Sequence, residues 1–146
     1  MNATLSDPVF QLYALCCSIL IITLYGLGFW TAKIRNDRKV VINAEDSKIN
    51  GGAKVGDIEH ADVLRIKRAH LNALENAVPF FVIGLLYTMT SPTLTMARVL
   101  FFLFVGIRVF HAIFYLSAKQ PFRTMSFAIG AIVNLTMVVQ VIRAVV

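Results

Sequence analysis

The chain alternates between long apolar segments and short polar ones, and the first apolar segment has the length of a membrane-spanning helix. Residues 9–32 carry no ionisable side chain other than those of Tyr and Cys. About 20 helical residues cross the hydrocarbon core of a bilayer, so this segment is long enough to span it. Residues 33–39, which include four Lys and Arg residues, follow it, and no basic segment of the kind that opens a signal peptide precedes it. We therefore predict a retained first span rather than a cleaved signal.

The remaining apolar segments predict three further spans. Residues 77–90 alone are too short, but residues 58–76 contain no Pro and no Gly, so one helix can run from residue 58 to residue 90. The predicted spans are residues 9–32, 58–90, 97–118 and 124–143, with a polar loop at residues 33–57 and two short turns. The pattern predicts an all-α integral membrane protein, a bundle of four transmembrane helices in a single domain over residues 1–146.

The composition supports this interpretation. Hydrophobic residues make up 58% of the chain and charged residues 15%, whereas a soluble domain carries about 25% charged residues. A soluble domain of 16.2 kDa has too little interior to bury so much apolar surface. The composition therefore excludes a disordered chain and an ordinary water-soluble domain.

The distribution of the net charge of +6 predicts the orientation in the membrane. Nine Lys and Arg residues lie between residues 33 and 68, and the second turn adds Lys119 and Arg123. The positive-inside rule places this loop and this turn in the cytosol and both termini on the other side, together with a glycosylation acceptor at Asn2. Because no nucleic-acid-binding motif accompanies the basic residues, we favour topology and anionic lipid over nucleic acid as their role.

Polar side chains enter two predicted spans, each set on one helix face because its members are three or four residues apart. The second span carries Arg65, Arg68, Asn72 and Glu75, and the third carries Arg108, His111 and Tyr115. A charge at mid-bilayer costs roughly 2.5–3.5 kcal/mol, so these side chains must face the bundle interior and have partners.

Two roles for these residues remain open from the residues alone. Glu75 and Arg108 can form a structural intramembrane ion pair that holds two helices together. The remaining cations outnumber the carboxylates, which predicts a cytosol-facing pocket for an anionic molecule. The chain shows no Cys and His spacing typical of a metal site, no phosphate-binding glycine loop and no serine in a nucleophile elbow. We therefore predict no bound metal.

Four segments of the chain resemble those of the MAPEG family, the membrane-associated proteins in eicosanoid and glutathione metabolism. They are residues 38–46 (RKVVINAED), 65–80 (RIKRAHLNALENAVPF), 108–116 (RVFHAIFYL) and 121–123 (PFR). They lie in the family's order and spacing across nearly the whole chain. The resemblance is to the branch that holds glutathione transferases and prostaglandin E synthases.

The resemblance implies a homotrimer that binds glutathione, as co-substrate, between neighbouring subunits near the cytosolic face. The glutathione contacts that it implies are Arg35, Arg68, Asn72, Glu75, His111, Tyr115 and Arg123. Arg123 is expected to stabilise the thiolate at the start of the fourth helix, whose free amides also favour an anion, and Thr124 to offer it a hydroxyl. Glu75 would meet the glutathione ammonium or orient an arginine, and the sequence does not choose between these roles.

The resemblance favours the transferase side, because Leu71 and Phe127 stand where prostaglandin synthases carry Arg and Tyr. The implied activity is conjugation of glutathione to lipophilic electrophiles, with peroxidase activity on lipid hydroperoxides. One alternative is a prostaglandin-synthase-type isomerase. Another is a non-catalytic lipid-binding scaffold, which the replacement of a family aspartate by Ala73 favours. The implied location is the endoplasmic reticulum membrane, with the mitochondrial outer membrane as a second one, and an active site facing the cytosol among membrane lipids.

Overall fold

The computed structural model describes residues 6–146, so the acceptor at Asn2 lies outside the described residues. Its elements are α1 (Pro8–Arg38), β1 (Val40–Val41), α2 (Ala44–Ile49), β2 (Lys54–Val55), α3 (Ala61–Met89), α4 (Leu94–Leu116) and α5 (Phe122–Val145). The four long helices α1, α3, α4 and α5 are long and apolar enough to cross a membrane. The predicted class, an all-α bundle of four membrane helices, is confirmed.

Helix α1 extends beyond the apolar segment that predicted it. It begins after Asp7, whose carboxylate caps the helix by accepting hydrogen bonds from the amides of Val9 and Phe10, both at 2.8 Å. It continues to Arg38, because basic side chains end a membrane span without ending a helix. Lys33 and Asp37, one turn apart, form an ion pair at 2.9 Å within this extension. The helix therefore carries Arg35 and Arg38 beyond its apolar part.

Helix α3 is continuous through both of its predicted halves. The imidazole of His60 caps its start by accepting a hydrogen bond from the amide of Asp62 at 3.2 Å. Pro79 lies inside the helix, where the surrounding helices can satisfy the backbone group that a proline leaves free. The polar first half and the apolar second half thus form one rod of 29 residues.

An aromatic cluster locks α3 against α1 and α4. Phe80 is fully buried and stacks on Phe104 with ring centroids 4.5 Å apart, while Phe101 meets it edge to face at 5.6 Å. The Tyr13 hydroxyl donates to the carbonyl of Phe81 at 2.7 Å. Gly84 allows this approach, because a Cβ there would lie 3.0 Å from the Tyr13 ring. This packing sets which face of α3 the neighbouring helices cover.

The loop between α1 and α3 is folded rather than irregular. Its two short strands pair in parallel, with Val40 opposite Lys54. The Ser47 hydroxyl donates to the carbonyl of Ala53 at 2.7 Å and ties α2 to the second strand. The loop returns the chain to the end of α1, so that Glu59 lies beside its last turn just before α3 begins.

Candidate functional site

A pocket of about 360 Å³ opens between α3, α4 and the turn before α5. It is lined by Arg65, Arg68, Tyr115, Ala118 and Arg123, and we call it the arginine pocket. Within residues 6–146, none of its three guanidinium groups has a carboxylate within 4.0 Å. Because like charges gathered without counterions favour an anion, the pocket is complementary to an anionic ligand.

Arg123 is held in place by its neighbours. Its guanidinium carbon lies 4.6 Å from the centre of the Tyr115 ring, a cation–π contact. With the Gln120 amide oriented so that donors meet acceptors, its oxygen accepts hydrogen bonds from Arg123 Nε at 3.2 Å and from Nη2 at 2.7 Å. A guanidinium fixed on two sides keeps its charge directed at the pocket without a carboxylate that would neutralise it.

The start of α5 has fewer free hydrogen-bond donors for an anion than the sequence predicted. The backbone amide of Arg123 already donates to the carbonyl of Lys119 at 3.2 Å, and the amide of Met125 donates to the carbonyl of Pro121 at 3.1 Å. Thr124 does not line the arginine pocket, and its hydroxyl accepts a hydrogen bond from the Gln120 amide at 3.1 Å. The structure therefore does not bring Thr124 together with Arg123 as a donor to a ligand in this pocket.

Arg108 lies deep in the bundle, with only 3% of its surface exposed. Its Nη2 donates to the side-chain oxygen of Asn72 at 2.7 Å and to the backbone carbonyl of Asn72 at 3.2 Å. The ion pair between Glu75 and Arg108 that the sequence predicted does not form within the chain. Three residues turn an α-helix by about 300°, so Glu75 is rotated about 60° away from Asn72, and it is exposed on the bundle surface.

His111 and Tyr115 lie at different depths on the same face of α4. His111 is 3% exposed, and its ring centre lies 5.8 Å from that of Tyr115. Tyr115 lines the arginine pocket, whereas His111 does not. His111 therefore supports Tyr115 from below, and in this structure it does not reach the arginine pocket itself.

A second pocket, of about 560 Å³, lies between α1 and α3 on the other side of Arg68. We call it the α1–α3 pocket; it is lined by Gly28, Thr31, Arg35, Leu64, Lys67, Arg68, His70 and Leu71. Arg68 lines both pockets, whereas Arg35 lines only this one. The residues predicted to bind one ligand are thus divided between two pockets, and within one chain Arg35 and Arg123 do not share a cavity.

The cations of the α1–α3 pocket are partly neutralised by a carboxylate that the sequence did not single out. Glu59, with a side chain only 3% exposed, accepts hydrogen bonds from Arg35 Nη2 and from Lys67 Nζ at 2.7 Å. Burial disfavours its charged form, but the hydrogen bonds from Lys67 and Arg35 outweigh that effect, and the pKa of the Glu59 carboxyl lies below its usual value. Glu59 thus joins the end of α1 to the first turns of α3.

We expect Glu59→Gln to lower the free energy of unfolding at neutral pH by about 1 kcal/mol, since it removes a charge-assisted contact with partly exposed partners. The lowered pKa of Glu59 means that its contribution is present above the ordinary carboxyl pKa of about 4.3 and is lost as the pH falls through the folded-state value. Thermal unfolding in detergent at a series of pH values measures this. The free energies of unfolding of the wild type and Glu59→Gln should become equal under acidic conditions. Glu45→Gln, an exposed position in α2, is the matched control, and an equal effect there would contradict the assignment.

Arg65 is absent from the glutathione contacts that the family resemblance implied, although the residue pattern alone had identified it. It belongs to the polar stripe of α3, three residues before Arg68, and the structure places it in the arginine pocket. The spacing of the stripe was the signal that identified it. Glu59 gave no such signal, because it lies in the loop and 24 residues from Arg35.

Comparison with known proteins identifies a family and several relatives. The profile of the MAPEG family matches residues 13–143. Microsomal glutathione S-transferase 1 of Homo sapiens is 37% identical over 99% of this chain and 96% of its own length. The protein of the same name from Sus scrofa is 38% identical over the same shares. Prostaglandin E synthase of Homo sapiens is 29% identical over 97% of this chain and 93% of its own length.

Proposed function

The chain belongs to the MAPEG family, and we propose from this premise that it is a membrane-bound glutathione transferase acting on lipophilic electrophiles. The similarity to two glutathione S-transferases over nearly the full length supports this class of reaction. The observation that carries the proposal is the arginine pocket. Its three guanidinium groups, none of which has a carboxylate within 4.0 Å among residues 6–146, match a ligand that bears two carboxylates and, when reactive, a thiolate.

Glutathione fits the arginine pocket by its charges. Arginine binds carboxylates through two parallel hydrogen bonds, so Arg65 and Arg68 can hold its carboxylates while Arg123 remains for the sulfur. A free thiol has a pKa near about 8.5, and adjacent positive charge lowers it toward neutral pH. Arg123, fixed between Tyr115 and Gln120, is positioned to supply that charge. The protein needs no general base if this electrostatic effect alone keeps the thiol ionised.

We propose that the active assembly is a homotrimer in which the α1–α3 pocket of one subunit faces the arginine pocket of its neighbour. This arrangement would bring Arg35 to the glutathione site, which the single chain does not do. One face of α3 supports it, because its exposed residues follow a spacing of three and four, typical of a helix-to-helix seam. These residues are Arg68, Leu71, Glu75, Val78 and Val82. Glu75 lies halfway along α3, and a carboxylate facing lipid there is costly.

If this face of α3 lines the threefold axis of the trimer, where identical residues of the three chains approach one another, Val78→Cys should cross-link between chains on mild oxidation. Val139→Cys on α5 is the matched control, because the two valines are 49% and 47% exposed. Both variants are made after Cys16 and Cys17 are replaced by Ala, and non-reducing gel electrophoresis of the protein in membranes measures the products. Cross-linking of Val139→Cys without that of Val78→Cys would refute the proposed seam.

The proposed enzyme would use glutathione in two reactions, conjugation to an electrophile and reduction of a hydroperoxide. With chlorodinitrobenzene, the thiolate attacks the ring carbon, the carbon–sulfur bond forms, the carbon–chlorine bond breaks, and chloride leaves. With a lipid hydroperoxide, two molecules of glutathione are oxidised to the disulfide while the hydroperoxide is reduced to an alcohol and water. Both acceptors partition into lipid, so we propose that they reach the thiolate from the membrane side of the pocket.

Location and orientation complete the proposal. We place the protein in the endoplasmic reticulum membrane, and also in the mitochondrial outer membrane, with the arginine pocket facing the cytosol. The support for this orientation is the positive-inside rule, because nine of the 14 Lys and Arg residues lie between residues 33 and 68, at the same end of the bundle as the pocket. Anionic headgroups of the cytosolic leaflet would be attracted to the exposed basic residues at this end.

The decisive experiment uses the purified protein in detergent. Glutathione should produce the ultraviolet absorbance of a bound thiolate at neutral pH, and chlorodinitrobenzene should then be conjugated. A thiolate signal with no turnover of any acceptor would refute the transferase and favour a lipid-binding scaffold. Faster isomerisation of a prostaglandin endoperoxide than conjugation would favour the synthase. Leu71 and Phe127, which place neither a guanidinium nor a phenol at those positions, argue against that second outcome.

A further inference from the structure

A third pocket, of about 250 Å³, lies where the last turns of α1, the first turns of α3 and the end of α4 meet. One wall is apolar and includes Trp30, Ile34 and Leu116, and the rim carries Arg38, Asp62 and Arg65. We call it the tryptophan pocket. Arg65 lines both this pocket and the arginine pocket, so the two cavities share one guanidinium group.

The rim of the tryptophan pocket carries one uncompensated positive charge. Arg38 Nη2 and Asp62 Oδ2 form an ion pair at 2.6 Å, and these two charges cancel. Arg65 has no carboxylate within 4.0 Å among residues 6–146. The matching occupant is therefore a molecule with an apolar body and a single anionic group.

The size of the pocket and its position in the membrane further restrict the kind of molecule that it can bind. A pocket that encloses a whole drug-sized ligand has about 300–1,000 Å³, so this one can hold only the head end of a longer molecule. Trp30 is 53% exposed beside the basic end of α1, a position typical of tryptophan at the boundary between lipid and water. A molecule held there can leave its chain in the bilayer. The small volume favours the head of a single-chain molecule over the bulkier head of a two-chain lipid.

We propose that the tryptophan pocket binds the carboxylate end of a single-chain fatty acid, with the carboxylate on Arg65 and the first methylene groups against Trp30. A guanidinium carries five N–H donors, so Arg65 can bind this carboxylate along one edge and a glutathione carboxylate along another. The shared arginine would thus place the head of the bound acid beside the arginine pocket. If the protein is the transferase proposed above, the pocket is then a subsite for carboxylate-bearing acceptors. This last step rests on the proposed function, whereas binding itself does not.

The only tryptophan of the chain is Trp30, so its fluorescence reports directly on this pocket. Dibromostearate, whose bromine atoms quench indole at short range, should quench Trp30 at lower concentration than its methyl ester does. Arg65→Gln should reduce this preference about tenfold, as expected for the loss of one charge-assisted hydrogen bond, and Arg65→Lys should retain part of it. Arg98→Gln, at an exposed position at the opposite end of the bundle, should behave as the wild type.

Three results of the quenching experiment would overturn the proposal. Equal quenching by the acid and the ester would show that the carboxylate is not recognised. An undiminished preference in Arg65→Gln would show that Arg65 does not recognise it. Stronger quenching by a brominated phosphatidic acid, with the same dependence on Arg65, would identify a phospholipid headgroup as the occupant instead. Reversal of quenching by unbrominated stearate is the expected result for a saturable site.

Turnover provides the second readout. At saturating glutathione, the wild type should reduce a fatty-acid hydroperoxide with a higher kcat/KM than its methyl ester, and Arg65→Gln should lower that ratio about tenfold. Both acceptors react with the same thiolate, so any effect of the substitution on glutathione binding cancels in the ratio of the two kcat/KM values. An unchanged ratio would refute the acceptor subsite. Absence of turnover with every acceptor, with acid-selective quenching intact, would refute the proposed function and leave the fatty-acid pocket standing.

Discussion

Arg123→Ala is expected to abolish the thiolate absorbance of bound glutathione at neutral pH and to lower kcat for conjugation by about 10²–10³-fold, the loss typical when a group that stabilises a developing or reacting anion is removed. The reason is electrostatic. Among the described residues, no carboxylate lines the pocket that Arg123 faces, and Tyr115 and Gln120 hold its guanidinium, so its charge is available to the sulfur. Without it, the pKa of the thiol would rise toward the value in free solution.

The measurement is a titration of the glutathione thiol by ultraviolet absorbance, together with conjugation rates over the same pH range. Arg123→Ala should shift both profiles to higher pH, and Arg123→Lys should recover part of the shift because it keeps the charge without the planar fork. Arg143→Ala is the matched control, an exposed arginine at the other end of α5. An unchanged thiolate signal in Arg123→Ala would remove the role assigned to this residue.

Asn72→Leu is expected to lower the free energy of unfolding by about 2–3 kcal/mol, because a hydrogen bond to a charged group is worth about 1.5–3 kcal/mol. Asn72 is the partner of Arg108, a guanidinium with 3% of its surface exposed. Leu has a similar size but no acceptor, so Arg108 would keep only the backbone carbonyl. On the usual scaling for a chain of this length, the melting temperature should fall by roughly 4–12 °C.

Differential scanning fluorimetry in detergent measures this effect, and two further variants serve as controls. Asn72→Asp offers Arg108 a carboxylate and should preserve stability. Asn76→Leu removes a local hydrogen bond from Asn76 to the Asn72 carbonyl, 2.8 Å long, and exposes no buried charge, so it should cost less. If Asn72→Leu unfolds at the wild-type temperature, Arg108 does not depend on this contact.

The relation between sequence and site is clearest in α3 and α4. Spacing of three and four placed Arg65, Arg68, Asn72 and Glu75 on one side of a helix, and the structure shows that this side is divided. Arg68 faces two pockets, Asn72 faces Arg108, and Glu75 is exposed. These four residues span only about 80° of the helix circumference, but a partner is chosen by differences of about 60° within that stripe.

The loop between α1 and α3 shows a different limit of prediction from sequence. Its composition predicted a polar connection, and its residues 40–55 instead form two paired strands and a short helix. Glu59 became the anchor of Arg35 and Lys67 only because this folded loop returns the chain to the end of α1. No local pattern could reveal that contact, since it joins residues 24 positions apart.

The sequence by itself determined the four spans and the chemical types that line the cytosolic end, because the hydrophobic length of a span and the period of a helix are local properties. It also identified the residues that gave the family. Only the tertiary structure decided that Arg108 pairs with Asn72 rather than Glu75, that Arg35 is held by Glu59, and that Arg65 stands between two pockets. Those choices depend on how each helix is rotated about its axis, and packing of the aromatic cluster around Phe80 sets that rotation.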